Sequence, residues 1–345
     1  MKKILCLIAI IFSFSLTSCT ANKITIDEIH QEADEHYGID YTKAYEQASL
    51  STCVVYDNVL NNIHTGVCIS QQDNSYYIIT ANDFTLRDST TVYYNDVPYS
   101  VDSIHTDVEN NLALIQFTTT DTISLKPAEK SEEEVVRGLP IMALTIYYTG
   151  NVETNPLFSY YFNKGIISYV DDARVSSDVA NNTVSVGSGI FDTKGCLIGV
   201  INEEFTAPSD NSGDYYQGIS NALPTDIIQD ITLDLTSGSI TSRPLFGMTV
   251  ATVNQDILDE SDISISLPDN DFYILVNSVT ENGNVGVAGL KEGDIIISIN
   301  DFKISSLSSL TKFSKTVMGN DVLSISYGRM NAGVLEINTI SVLMK

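Results

Sequence analysis

Two serines, Ser185 and Ser188, flank a small-residue turn that could present a hydroxyl for nucleophilic attack. The turn reads Val186-Gly187-Ser188-Gly189 and follows a polar, Asn-rich run from Ser177. A serine attacks a carbonyl only if a base takes its proton and inward-pointing N–H groups receive the oxyanion. The chain offers four histidines: His30, His36, His64 and His105. His30 and His36 are six residues apart, which is not a same-face helical spacing, so with Glu32 and Glu35 they read as a solvated helix rather than a metal site. His64 falls on an early strand and His105 just ahead of Asp107. No Cys/His spacing suggests zinc, and neither a metal nor a cofactor is expected.

The elements that must position these residues are short and β-rich. Apolar runs at 53–56, 67–70, 76–80, 91–94 and 112–117 are separated by Asn, Asp, Ser and Gly. Their even spacing predicts an all-β sandwich or barrel, and composition does not choose between them. Around the serines, a strand at 190–192, a turn at Thr193-Lys194-Gly195 and a strand at 196–200 are expected.

The stretch from Ser177 to Val200 resembles the nucleophile loop of trypsin-like serine proteases of the HtrA/DegP family, which reads roughly T-D-A-A-I-N-P-G-N-S-G. Laid on without a gap, the family's nucleophile falls on Val186. His64-Thr65-Gly66-Val67-Cys68-Ile69 resembles the G-S-G-V-I segment of the first barrel, and Gly165-Ile166-Ile167-Ser168 resembles the G-I-V-S strand of the second. Thr80-Ala81-Asn82-Asp83 resembles the T-A-x-H turn and puts Asp83 in the catalytic histidine's position. The segment Asp107 to Leu114 resembles D-x-x-x-D-L-A-V and puts Asn111 where an aspartate orients that histidine. Gly218-Ile219-Ser220-Asn221-Ala222-Leu223-Pro224 resembles the family's A-I-P exit, with a helix to follow over 225–235.

The resemblance thus implies the protease fold but not its chemistry. Valine has no nucleophilic atom. Aspartate lacks the two-sided geometry with which imidazole takes and returns a proton, and Asn111 carries no charge to stabilise an imidazolium. Val184 stands where a glycine lets the turn expose its N–H groups, and a β-branched residue disfavours the positive φ this needs. Ser185 and Ser188 read as structural.

From residue 243 the chain resembles a PDZ domain of the same family. Leu245-Phe246-Gly247-Met248 matches its x-Φ-G-Φ loop, and Val287 to Ile296 matches A-G-L-x-x-G-D-x-I. The resemblance implies a nest of N–H groups for a peptide's C-terminal carboxylate and capture of the peptide as an added strand. A strand is expected at 276–279, alternation of Ile295, Ile297 and Ile299 as a half-buried strand, and final strands at 322–327 and 334–342. A groove helix over 307–317 would supply Leu310 and Phe313 as pocket residues.

At the other end, Lys2 and Lys3 precede a thirteen-residue apolar run, too short to span a bilayer. It ends Leu16-Thr17-Ser18-Cys19, which resembles a bacterial lipobox and implies cleavage before Cys19 and lipidation of its sulfur. Thr25-x-x-Glu28 resembles a capping box opening a helix to about His36, and a second short helix is expected over 43–48. The formal charge of −26 argues against nucleic acid and anionic membrane surfaces as partners. Cys53, Cys68 and Cys196 allow at most one internal disulfide and read as buried free thiols.

The expected architecture is mostly β: a trypsin-like double β-barrel followed by a PDZ-like α+β domain. Residues 1–18 are a lipoprotein signal, 19–48 a tether with short helices, 49–236 the double barrel, 237–242 a linker and 243–345 the PDZ-like domain. The expected function is a catalytically inactive protease homologue. It would be anchored by lipid on Cys19 to a membrane of the bacterial cell envelope, where it binds protein C-termini or extended peptides. The alternative is an active serine endopeptidase with relocated catalytic residues.

Overall fold

A computed structural model describes residues 40–84, 87–151, 155–179, 185–203, 219–254, 256–257, 272–331 and 334–345. The lipoprotein signal, Cys19, the helix expected over 25–36, Val184 and Gly218 lie outside these residues.

Twelve strands close into two barrels. The first holds β1 (Thr52–Asp57), β2 (Asn62–Gln72), β3 (Ser75–Ala81), β4 (Thr90–Tyr94), β5 (Val97–Asp107) and β6 (Leu112–Thr118), in the order β1-β2-β3-β6-β5-β4. The second holds β7 (Pro140–Asn151), β8 (Asn155–Val170), β9 (Val175–Ser177), β10 (Gly189–Phe191), β11 (Leu197–Glu203) and β12 (Ser220–Pro224), in the order β10-β11-β12-β9-β8-β7. Each strand expected from the apolar runs of the first barrel is present. Closure settles what composition leaves open, because a closed sheet exposes no unpaired edge.

Three cores fill this half. Val55, Ile78, Val92, Ile115 and Phe117 pack inside the first barrel, and Ile141, Ile167, Val175, Ile190 and Ile201 inside the second. A third joins the two, with Val67, Ile79 and Leu114 meeting Leu144, Phe191 and Leu223. Helix α1 (Tyr41–Ser49) buries Ala44 and Ala48, one turn apart, in this shared core. Helix α2 (Thr225–Leu235) buries Ile227, Ile228, Ile231 and Leu235 there, an i, i+1, i+4, i+8 face.

The C-terminal domain is a sheet in the order β13-β14-β15-β17-β18, with β16 beside β15. Its strands are β13 (Met248–Val253), β14 (Tyr273–Val279), β15 (Ile295–Ile299), β16 (Phe302–Lys303), β17 (Val322–Asn331) and β18 (Val334–Leu343). Helices α3 (Asn284–Ala288) and α4 (Leu307–Thr316) accompany it. Ser306 caps α4 through a reciprocal bond pair with Ser309. The simple alternation expected in β15 does not hold. Ile296 is buried together with Ile295 and Ile299, while Ile297 is half-buried. The pairing with β17 shifts register between Ile296 and Ser298, and such a bulge breaks the period of two. Ile296 and Ile299 therefore share the main core, while Ile295 joins Val253 and Tyr273.

All three described cysteines are free. Cys53 and Cys68 are buried as expected, and burial pushes the Cys68 thiol up to about 12. Cys196 departs from the expectation: it is half-buried, because it lies in the turn just before β11 rather than within a strand.

One ion pair ties the sheet domain to the first barrel. Asp107, at the end of β5, is fully buried, and Arg243 reaches it with an Nη2 to Oδ2 distance of 2.6 Å. Arg243 also donates to the Val317 carbonyl beyond α4, and its backbone N–H donates to Glu109. The segment before it is likewise committed, since Ile240 bridges Asp107 and enters the shared core. Removing one partner strands a buried charge, so Arg243→Ala is expected to cost about 3–5 kcal/mol. Urea denaturation of the whole chain checks this; a midpoint within error of wild type contradicts it.

Candidate protease-like site

Where the protease resemblance puts a triad, the structure assembles a closed hydrogen-bonded cluster around His64. This residue projects from β2 and its side chain is 6% exposed. Its Nε2 lies 2.7 Å from Oδ2 of Asp83, in the turn after β3. Its Nδ1 lies 3.2 Å from the carbonyl oxygen of Val186. The ring meets Phe84 edge-on, with centroids 5.6 Å apart. The hydrogen bond from His64 and then its charge hold the Asp83 carboxyl below its ordinary value, and burial opposes them.

The sequence reading puts His64 on an early strand and not in the catalytic histidine's position, and the structure adds that it meets Asp83 there. The β2–β3 hairpin pairs Val67 with Ile79, which brings residues just before Val67 alongside the turn after β3. The imidazole thus stands next to Asp83. The sequence signal that could have found it is the hairpin itself, since His64 lies three residues before Val67 and Asp83 four after its partner Ile79.

Val186 is buried, as are Ser185 and Ser188. Gly187 has φ of +90°, and a Cβ added there would lie 2.5 Å from the Thr65 carbonyl oxygen and 2.8 Å from the Ala81 nitrogen. The loop tip is therefore pressed as bare backbone onto β2 and β3, a fit only glycine permits. The Gly187 N–H donates to Ile201, and the Ser188 carbonyl accepts from the Ile201 N–H. Ser188 Oγ is buried with no hydrogen-bond partner, and the two bonds of the His64 ring go to Asp83 and Val186, not to a hydroxyl.

Asn111 adopts φ of +54°, which asparagine tolerates, and its Nδ2 donates to the Asn202 carbonyl on β11. Asn202 returns the bond to the Asn110 carbonyl. These amides stitch the first barrel to the second. In the sheet domain, Leu245 is 78% exposed and Phe246 is buried, while Gly247 has φ of +80° with its Cα against Gly283. Leu310 is buried from α4 in the same core as Phe246, and Met248 and Phe313 pack partly buried against it. Of the six residues expected to form a groove, Phe246, Met248, Leu310 and Phe313 meet in this core.

The geometry can be set beside known proteins. The trypsin-like peptidase domain family matches residues 64–200, and the PDZ domain family matches residues 241–327. The chain carries an HtrA/DegP-like peptidase domain with a C-terminal PDZ domain. A probable periplasmic serine endoprotease DegP-like of Pseudomonas putida is 31% identical over 151 residues, covering 41% of this chain and 30% of that protein. A probable serine protease do-like of Buchnera aphidicola is 27% identical over 212 residues, covering 61% and 42%. The chain therefore spans less than half the length of these relatives. Among solved structures, the HtrA-type protease AlgW with tripeptide aligns with a TM-score of 0.62 at 21% identity, over 88% of this chain and 97% of that one. The serine endoprotease from Yersinia pestis aligns with a TM-score of 0.57 at 19% identity, over 89% and 99%. The fold is thus that of the HtrA-type proteases, with the PDZ domain in place.

Loss of the His64 cluster is expected to destabilise the chain: His64→Ala by about 1–3 kcal/mol, since it removes two bonds of a buried ring. The depressed Asp83 carboxyl makes a contribution that is present above the ordinary carboxylate value near 4, and is lost as pH falls through the folded-state value. Unfolding measured across acidic pH should show a flatter acid limb for Asp83→Asn than for wild type. Because its hydroxyl has no partner, Ser188→Ala is expected to be neutral or stabilising by up to about 1 kcal/mol.

Proposed function

We propose that this chain is a catalytically inactive HtrA-like protease homologue that captures extended peptides or protein C-termini through its PDZ domain. The observation that carries the reading is the buried Val186 at the nucleophile position, its carbonyl bonded to His64. An apolar side chain cannot attack a carbonyl, and the two nitrogens of His64 face Asp83 and the Val186 carbonyl rather than a hydroxyl. The groove residues Leu245, Phe246, Gly247, Met248, Leu310 and Phe313 keep the apolar and glycine character that strand addition at an open sheet edge requires. Lipid on Cys19 would hold the chain to a membrane of the cell envelope, a location in keeping with the periplasmic name of the Pseudomonas putida relative.

The His64–Asp83 pair beside Ser185 and Ser188 favours a second reading, an active endopeptidase with relocated residues. A fluorophosphonate probe separates the two. The inactive homologue leaves every serine unlabelled. Stoichiometric label that disappears in Ser185→Ala or Ser188→Ala establishes the active enzyme instead. Peptide capture is checked by titrating the whole chain with a library of peptides bearing free C-termini. Binding that weakens at least about tenfold in Gly247→Val supports the groove, and a folded chain that binds no peptide removes the claim.

A further inference from the structure

A cavity of about 580 Å³ opens between α1, β1, β4 and β8, and shares no lining residue with the His64 cluster or the peptide groove. Five of its described lining residues are aromatic: Tyr45 from α1, Tyr93 and Tyr94 from β4, and Phe158 and Tyr160 from β8. The one formally charged side chain among them is Asp96, in the β4–β5 turn, and no Lys, Arg or His takes part.

The walls are held in place before any ligand arrives. The Tyr93 and Phe158 rings lie 4.9 Å apart at 57° and make a corner. The Tyr160 hydroxyl donates to the Thr52 carbonyl, and the Tyr94 hydroxyl pairs with Ser124. Asn95 and Asp96 both have positive φ, at 50° and 62°, which fixes the turn that carries the carboxylate. Asp96 Oδ1 accepts from the Phe158 N–H at 3.3 Å. Burial raises the Tyr160 phenol, and the further contributions from Cys53, Tyr94, Tyr45 and Asp96 all raise it too.

A pocket of this make-up selects by charge. An anion would meet Asp96 and the negative faces of the rings with no cation to answer it. A wholly apolar ligand would strip water from Asp96 and the neighbouring hydroxyls without replacing its bonds. A cation is attracted by ring faces and carboxylate alike, and the chain's 44 acidic against 18 basic residues draw it from a distance.

We propose that this cavity binds an organic ammonium ion, its charge received by the aromatic faces and by the Asp96 carboxylate. The proposal does not depend on whether the protease-like site is active. Isothermal titration of the whole chain with choline chloride, with Nα-acetyl-lysine amide and with neohexanol, the uncharged carbon isostere of choline, tests it at constant ionic strength. At least one of the two cations is expected to bind, with neohexanol roughly tenfold weaker or more. Which cation binds distinguishes a quaternary from a primary ammonium. Asp96→Asn should weaken the cation at least about fivefold, and Tyr93→Leu likewise. Asparagine adopts the same positive φ, so Asp96→Asn keeps the turn, and circular dichroism confirms that it folds. Neohexanol binding as tightly as choline, unchanged affinity in Asp96→Asn, or no binding of either cation overturns the proposal.

Discussion

The carboxylate of Asp107 has no access to water, and a charge so placed must be answered from within the protein. Arg243 answers it, and in doing so brings the PDZ domain onto the first barrel. The same guanidinium reaches the Val317 carbonyl just past α4, while Asn110 beside Asp107 donates to the Lys315 carbonyl two residues earlier. The end of α4 is therefore tied to the loop that carries Asn111. Burial lowers the Lys315 ammonium in this contact, against the opposing pull of Glu203 and Asp107. The buried pair is weak evidence for net stability but strong evidence for a fixed arrangement, because any other placement of Arg243 leaves Asp107 unpaired.

Beyond that joint, the protease fold frames a hydrogen-bonded cluster around His64. In a working triad the histidine lies between a carboxylate and a hydroxyl. In this chain His64 lies between a carboxylate and a peptide carbonyl. These contacts clasp the loop of Val186 against β2 and β3. Gly187 gives the loop the close approach that the clasp needs. Ser188 Oγ is a buried hydroxyl left without a partner beside backbone groups that are paired.

The aromatic cavity follows from the same architecture in a different way. The long β8 strand and the β4–β5 turn meet over α1, and rings from three elements face one space. None of these tyrosines forms a motif in sequence. Tyr45, Tyr93 and Tyr160 are far apart along the chain, and each taken singly is an ordinary strand or helix residue.

What the sequence determined by itself is what a residue cannot do and where the elements lie. Valine at position 186 has no nucleophilic atom in any fold, and that 83 is aspartate and 111 asparagine is equally a matter of residue type. The strands of the first barrel were legible because apolar runs and turn residues are local signals, and helix 225–235 through the resemblance of residues 218–224 that precedes it. The two-barrel and PDZ arrangement was legible through motifs in order. What only the tertiary structure decided is which groups meet. His64 and Val186 are 122 positions apart, and only the packing of one barrel against the other makes them neighbours. The bulge that buries Ile296 arises from pairing with β17, a strand some thirty residues on, so no alternation within β15 could reveal it. Side-chain chemistry belongs to the residue, but distance between side chains belongs to the closed sheet.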